Sequence, residues 1–426
     1  MRSNQSRQIL REGLASARAQ TDSLFRMLSP DALHMRPIAE RHRVIFYIGH
    51  LEAFDWNMVG VWTFGKPSFN PGFDRLFAFG IDPVNGRLPD DKPADWPALE
   101  EIFSYRDKIR AGVDDLVERA DITEPSYARI VHVAIEHRLM HAETLAYMLH
   151  WLDFDTKRAG AAALPTPAGT GNGIGQARSA TIPEGETTLG LKDGSGFGWD
   201  NEFQSHSLHV AEFSMDIYNV TNAEFLEFVQ AGGYEDAALW TAGAWDWLQQ
   251  SGTSHPKFWI RRNDAWFYRT MFAELPLPPA WPVYVSHAEA SAYARWKHKS
   301  LPTEAQYHRA AFGSPGGGRG QVLYDGNFDL RSWTPMDVGS FRPSAFGVFD
   351  LVGNGWEWTS TPFAPFEGFE PFSFYPGYST DFFDGKHFVL KGASPRTSAA
   401  LVRSSFRNWF QPYYPNIYAS FRCVEQ

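Results

Sequence analysis

Apolar residues in the first half of the chain recur at helical spacing. Between Arg7 and Leu28 they fall at Ile9, Leu10, Leu14, Ala17, Leu24 and Leu28, which predicts an amphipathic helix. A second apolar segment follows Pro37 and runs through RHRVIFYIGHLEAFDWNMVGVWTF. A third is PALEEIFSYRDKIRAGVDDLVERA, and a fourth is PSYARIVHVAIEHRLMHAETLAYMLHWL. Four long helices predict a four-helix bundle over residues 1–154, a scaffold whose interior commonly holds metals. The periodicity then stops. Residues 155–184 are rich in Gly, Ala, Pro and Thr and read as a linker. From 185 to 426, short apolar stretches such as HVAEFSMDIYNV and HFVLKGAS alternate with turns. Two short helices are expected at NAEFLEFVQAGG and SHAEASAYARWKHKS, and LPTEAQYHRAAF starts another. The expected class is α+β, with a helical bundle first and a mixed, loop-rich domain after it.

Composition adjusts this picture in a few places. The 34 Phe, 16 Trp and 16 Tyr supply the large buried area that a loop-rich domain needs for its core. A net charge of −10 with no basic stripe argues against a nucleic-acid partner. No apolar run is long enough for a membrane span, and the polar N-terminus has no secretory h-region. Cys423 is the single cysteine. An internal disulfide and a cysteine-based zinc site are therefore excluded, and a cytoplasmic location is expected.

The candidate chemistry sits in the bundle. His137 and His141 are four residues apart on one predicted helix, so both imidazoles share a face. His50, on another predicted helix, could complete a three-histidine set. Imidazoles accept iron, zinc and copper alike, and the same spacing occurs in histidines that bind nothing. Glu143 lies about 200° around the helix from His141, which suits orienting a ligand rather than binding the metal. His132 and His150 fall elsewhere on the wheel and read as structural.

The segments RPIAERHRVIFYIGHLEAFDWN, HRLMHAETLAYML, FGWDNEF, LPTEAQYHRAA, GNGWEWTSTPF and SSFRNWF, with a final FRC, occur in that order. In this the chain resembles the ergothioneine-biosynthetic sulfoxide synthases, a family that includes the selenoneine synthases. The resemblance covers nearly the whole length. It implies a DinB-like four-helix bundle joined to a C-type-lectin-like domain of the formylglycine-generating type. It also implies iron(II) on His50, His137 and His141, and oxygen-dependent joining of sulfur or selenium to C2 of the hercynine imidazole. Tyr375 then corresponds to the proton donor, with Tyr378 as the alternative. Asn408 and Trp409, with Phe410 beside them, correspond to positions that hold hercynine, whose quaternary ammonium suits aromatic faces.

Departures from the family pattern bear on the substrates. Members that use γ-glutamylcysteine carry arginines after the second helix, and an Asp then an Arg after the Asn-Trp pair. Here the first region reads DPVNGRLPDDKPADWP, with Arg87 its only arginine, and Phe410 stands where the Asp would be. Met140 replaces a glutamine that helps to hold hercynine, and its thioether cannot make that hydrogen bond. Tyr413 and Tyr414 offer faces for a sugar ring. Taken together these departures favour a 1-selenosugar donor and the selenoneine branch, with cysteine or γ-glutamylcysteine as the alternative. Formylglycine generation needs two active-site cysteines and is excluded. The related histidine-cysteine sulfoxide synthases of ovothiol synthesis usually carry a methyltransferase domain not found in this sequence. A non-catalytic lectin-like binding protein remains the alternative from another class, and bound iron distinguishes it.

Overall fold

Helix-forming periodicity in the N-terminal half is realised as α1 (Arg2–Arg26), α2 (Val44–Asp55), α3 (Pro71–Phe79), α4 (Leu99–Arg119) and α5 (Pro125–His150). The computed structural model describes residues 2–79, 90–119, 125–158, 179–314 and 325–425. The chain divides into two compact units, Met1–Ala162 and Ala163–Gln426. In the first unit α1 lies along α5, and α2 packs on α3, α4 and α5. Leu10, Leu14, Ala17 and Leu24 form the buried stripe of α1. Ile9, which the apolar period includes, is instead 56% exposed.

Helix α2 is apolar around most of its circumference. Every residue from Val44 to Asp55 is buried except His50, which is half-buried. A helix enclosed on all sides is what such a composition requires. It continues into a π-helix, Trp56–Trp62, with the Thr63 hydroxyl donating to the Met58 carbonyl five residues back. Helix α3 was not anticipated; it lies in the connection after the second helix.

The second unit holds twelve short strands among its described residues, in four sheets. In the first, β1 (Ser179–Ile182) and β12 (Val424–Glu425) flank β4 (Phe213–Asp216), both antiparallel to it. The second pairs β2 (Gly185–Leu189) with β3 (His206–Val210). The third runs β5 (Trp259–Arg262), β6 (Ala265–Arg269), β7 (Glu274–Pro276). The fourth has the order β10 (Asn408–Phe410), β9 (Phe388–Ala393), β8 (Gly355–Pro362), β11 (Ala419–Ser420). Around them lie α6 (Asn222–Gln230), α7 (Ala242–Ser251), α8 (His287–Trp296), α9 (Glu304–Phe312) and the one-turn α10 (Gly377–Thr380). Thr221, Ser286 and Thr303 close capping boxes at the starts of α6, α8 and α9.

Three details differ from the sequence expectation. Strand β1 begins at Ser179, inside the stretch read as linker, and Lys157 at that stretch's start is buried in a bridge to Leu28. HVAEFSMDIYNV supplies strands to two different sheets, the chain turning at Ala211 and Glu212. Helix α7 was missed, although Thr241 caps its start and Gly252 ends it at a φ of 65°. Among the described residues no helix is long and apolar enough to cross a membrane.

Candidate metal centre and aromatic site

His50, His137 and His141 converge: each offers a ring nitrogen, and these atoms all lie within 4.8 Å of one another. His50 Nε2 is 3.2 Å from His141 Nε2. The carbonyl of Phe77, supplied by α3, takes the His50 Nδ1–H at 2.7 Å. That bond leaves His50 Nε2 as a bare lone pair aimed at His141, so either a proton on His141 or a cation must lie between them. Two imidazoles at right angles on an ion, each about 2.1 Å away, place their nitrogens about 3 Å apart. Among the described residues, Nδ1 of His137 and Nδ1 of His141 are buried without a hydrogen-bond partner. Burial, with neighbouring cationic groups adding to it, pushes both rings well below the ordinary histidine range. Neutral imidazoles with unspent nitrogens are the state a divalent metal takes up. The donor set thus fits a metal.

Rings and charges hold these ligands. Phe54 stacks on His137 at 3.5 Å and Phe46 on His50 at 4.8 Å. Arg138, fully buried beside His137, bonds Glu52 and Asp55 on the His50 helix. Burial opposes the Glu52 charge, but Arg138 and Arg110 hold its carboxyl below the usual range. For Asp55 burial wins, and the carboxyl is pushed up despite Arg138. Glu143 is buried on α5, and Met140 is half-buried one residue before His141.

In the second unit Trp409 meets Tyr378, which meets Tyr375, while Phe410, Tyr413 and Tyr414 make ring contacts of their own. The Trp409 ring stacks on Phe363 at 4.1 Å and meets Tyr378 edge-on at 5.4 Å. Tyr378 is buried and stacked on Trp199, while Tyr375, 5.5 Å from it between ring centres, is half-buried. Asn408 accepts the Trp409 backbone N–H, and its strand β10 is antiparallel to β9. Phe410 stacks on Tyr414 and Trp247 on Tyr413, so one face of each tyrosine is already covered. Arg87 lies outside the described residues.

Against known proteins, the chain is 32% identical to a hercynine oxygenase of Mycolicibacterium thermoresistibile, over 83% of this chain and 80% of that one. The chain belongs to the ergothioneine-biosynthesis family of hercynine oxygenases. A second hercynine oxygenase, from Mycolicibacterium smegmatis, is 30% identical over 75% of this chain and 76% of its own length. The ergothioneine biosynthesis protein 1 of Neurospora crassa is 28% identical over 93% of this chain, and the chain spans about half of that protein's length, 55%. The sulfatase-modifying factor enzyme 1-like domain matches residues 174–426 and the DinB superfamily matches 14–145. The fold is accordingly α+β, a DinB-like helical bundle followed by a formylglycine-generating-type domain.

For a hercynine oxygenase relative, sequence reasoning overlooked the groups that hold the site. Arg138 and Glu52 were visible within HRLMH and GHLEAFD, where a charge beside each histidine in an apolar helix signals a buried pair. The Phe77 carbonyl left no signal, because it depends on where α3 passes. Two aspartates after the second helix are also bonded within this unit. Asp91 is buried and bonded by Arg36, Arg43 and the Trp96 indole, and Asp95 caps the Lys92 backbone N–H. The Asp91 charge is thus answered by two guanidinium groups.

Proposed function

We propose that this protein joins a chalcogen to C2 of the hercynine imidazole in an oxygen-dependent reaction, with iron(II) held by His50, His137 and His141. The observation that carries the reading is the convergence of three buried or half-buried histidines in a member of this family. Bound there, iron(II) supplies open positions for a soft anionic donor and the redox capacity to use dioxygen. One oxygen atom ends on the chalcogen as sulfoxide or selenoxide, and the other leaves as water with the two hydrogens lost from donor and ring.

The chain's own residues supply binding and protons. Neutral imidazoles add no charge, so an anionic thiolate or selenolate is not repelled by its fellow ligands. Tyr375, half-buried and with its hydroxyl on a short turn, delivers a proton during oxygen activation. Trp409 and Phe410 present ring faces to the trimethylammonium group. Asn408 orients the substrate beside them, and Met140 contributes packing alone.

For the donor we favour a neutral 1-selenosugar, giving selenoneine. Support comes from Phe410 in place of an acidic residue and from the absence of a following arginine. Arg36 and Arg43 are both engaged by Asp91, so they do not substitute for the missing pair. The half-buried rings of Tyr413 and Tyr414 suit a sugar ring. A thiol donor is the second reading, favoured by the ergothioneine-biosynthesis names of the relatives.

Iron(II)-loaded protein incubated with hercynine, oxygen and, separately, cysteine, γ-glutamylcysteine or a 1-selenosugar tests both levels. Mass spectrometry should show the hercynine–selenosugar adduct at the highest kcat/KM. A thiol with equal or greater kcat/KM overturns the donor, and no adduct from any of the three overturns the activity.

A further inference from the structure

The FGWDNEF segment at 197–203 carries none of the groups assigned above, yet it is bonded to two segments that do. Asp200 is fully buried. Its carboxylate accepts the Ser379 hydroxyl and the backbone N–H of Phe372. Asn201 donates its side-chain amide to the same Ser379 oxygen at 3.0 Å. Trp199, also fully buried, lies 3.9 Å from the Tyr378 ring and nearly parallel to it. Phe372 and Ser379 are thus tied to one carboxylate, and Tyr375 is on the turn between them. Within that turn, Tyr375 N–H bonds the Phe372 carbonyl and Tyr378 N–H the Tyr375 carbonyl. The neighbouring residues of the segment reach the second region. Glu202 accepts Arg403 and Ser405, which precede Asn408 and Trp409 in the chain.

We propose that Asp200 and Ser379, with Trp199 behind Tyr378, are positioning residues that fix the Tyr375 hydroxyl for proton delivery. The inference rests on the reading of Tyr375 given above. A donor on a short, half-buried turn has no strand or long helix to hold it. Burial pushes the Asp200 carboxyl up, and the two hydrogen bonds that bracket the turn oppose this, so both strengthen when the group is ionised. Misplacement of a reacting group by about 1 Å costs on the order of 100-fold in rate. The bracket therefore acts on kcat, while iron and hercynine are held by other residues.

The test compares Asp200→Asn and Ser379→Ala, each alone and combined with Tyr375→Phe, in the iron-loaded protein with hercynine and the preferred donor. Hydrogen exchange of the 372–379 amides is measured without substrates. We expect each single variant to lower kcat by roughly tenfold or more, with hercynine KM and iron content little changed. Exchange at 372–379 should rise, and in the Tyr375→Phe background the kcat loss from Ser379→Ala should disappear. Ser379→Ala deletes one hydroxyl and keeps the buried carboxylate, so it serves if Asp200→Asn does not fold. A Tyr375→Phe protein that is slow, with Ser379→Ala losing its full factor on top, overturns this inference alone. So does unchanged exchange at 372–379. Wild-type turnover by Tyr375→Phe overturns the proton-donor reading and this inference with it.

Discussion

Each unit buries one arginine completely against carboxylates, and the two are satisfied to different degrees. In the second unit Arg422 grips Glu357 through Nε and Nη2. Its Nη1 reaches the carbonyls of Asp216 and Ile217, and Nη2 also meets the Phe349 carbonyl and the Asn219 side chain. In the helical unit Arg138 likewise meets three acceptors, Leu51, Glu52 and Asp55, through Nη2 and Glu52 through Nη1, but among the described residues its Nε has no partner. Asp55 Oδ1 is unpartnered among the described residues as well. A network with every donor spent knits loops into a fold and does little else. One that keeps unspent polar atoms beside three convergent histidines carries a desolvation cost that stability alone does not explain. The difference points to the helical unit as the place where local rules give way to chemistry.

The largest expected effect falls on the histidines. His50→Ala, His137→Ala or His141→Ala should abolish iron binding and turnover, measured by metal content and product formation. A variant that keeps both removes its residue from the centre. Next, Tyr375→Phe in the second unit should slow adduct formation by about 100- to 10,000-fold while iron content stays intact. The arginines test the comparison directly. Arg138→Met and Arg422→Met should each destabilise their unit by about 3–5 kcal/mol in denaturant unfolding. Only Arg138→Met should also weaken iron affinity of the folded protein, and equal effects on iron would erase the contrast. Glu143→Gln should weaken iron binding by about 10- to 100-fold without removing it.

The smallest effect concerns pH. Burial pushes the Asp350 carboxyl up to about 6 from 3.8, and Arg422, which opposes this, is already bonded to Glu357. Between these values the folded chain holds a proton that the unfolded chain has lost, so stability falls as pH rises through the window and levels off above it. From pH 5 to 7 the loss is about 1 kcal/mol. Asp350→Asn should flatten that slope, seen as a smaller change in denaturant midpoint.

What could be read in advance follows from how local each signal is. The long helices announced themselves, because a buried stripe such as Leu10, Leu14 and Ala17 repeats with the helix. His137 and His141 were legible for the same reason, being one turn apart on a single element. Their meeting with His50 depends on packing α2 against α5, which the motif resemblance supplied and periodicity could not. In the second unit Tyr375 and Trp409 sit on a turn and a three-residue strand, where no period exists, and resemblance alone singled them out. Helix α7 was hidden by its aromatic, glycine-containing start despite the Thr241 cap. The role of FGWDNEF was invisible because its partners lie far along the chain, Ser379 being 179 residues from Asp200.

Strand β12 has a consequence for how the protein is made. The Cys423 N–H bonds the Asp216 carboxylate 207 residues back, and Val424 and Glu425 then pair with β4. At about 5–20 residues per second, a ribosome needs on the order of 10–40 s to bring that partner into existence. The helical unit, whose described elements all precede residue 160, has emerged and can fold well before then. Through that interval β4 has β1 on one side and an open edge on the other, which is a template for association between nascent chains. Slow synthesis of the final strand therefore lengthens the period of greatest aggregation risk, and a chaperone that covers β4 should raise yield more than one acting on the helical unit.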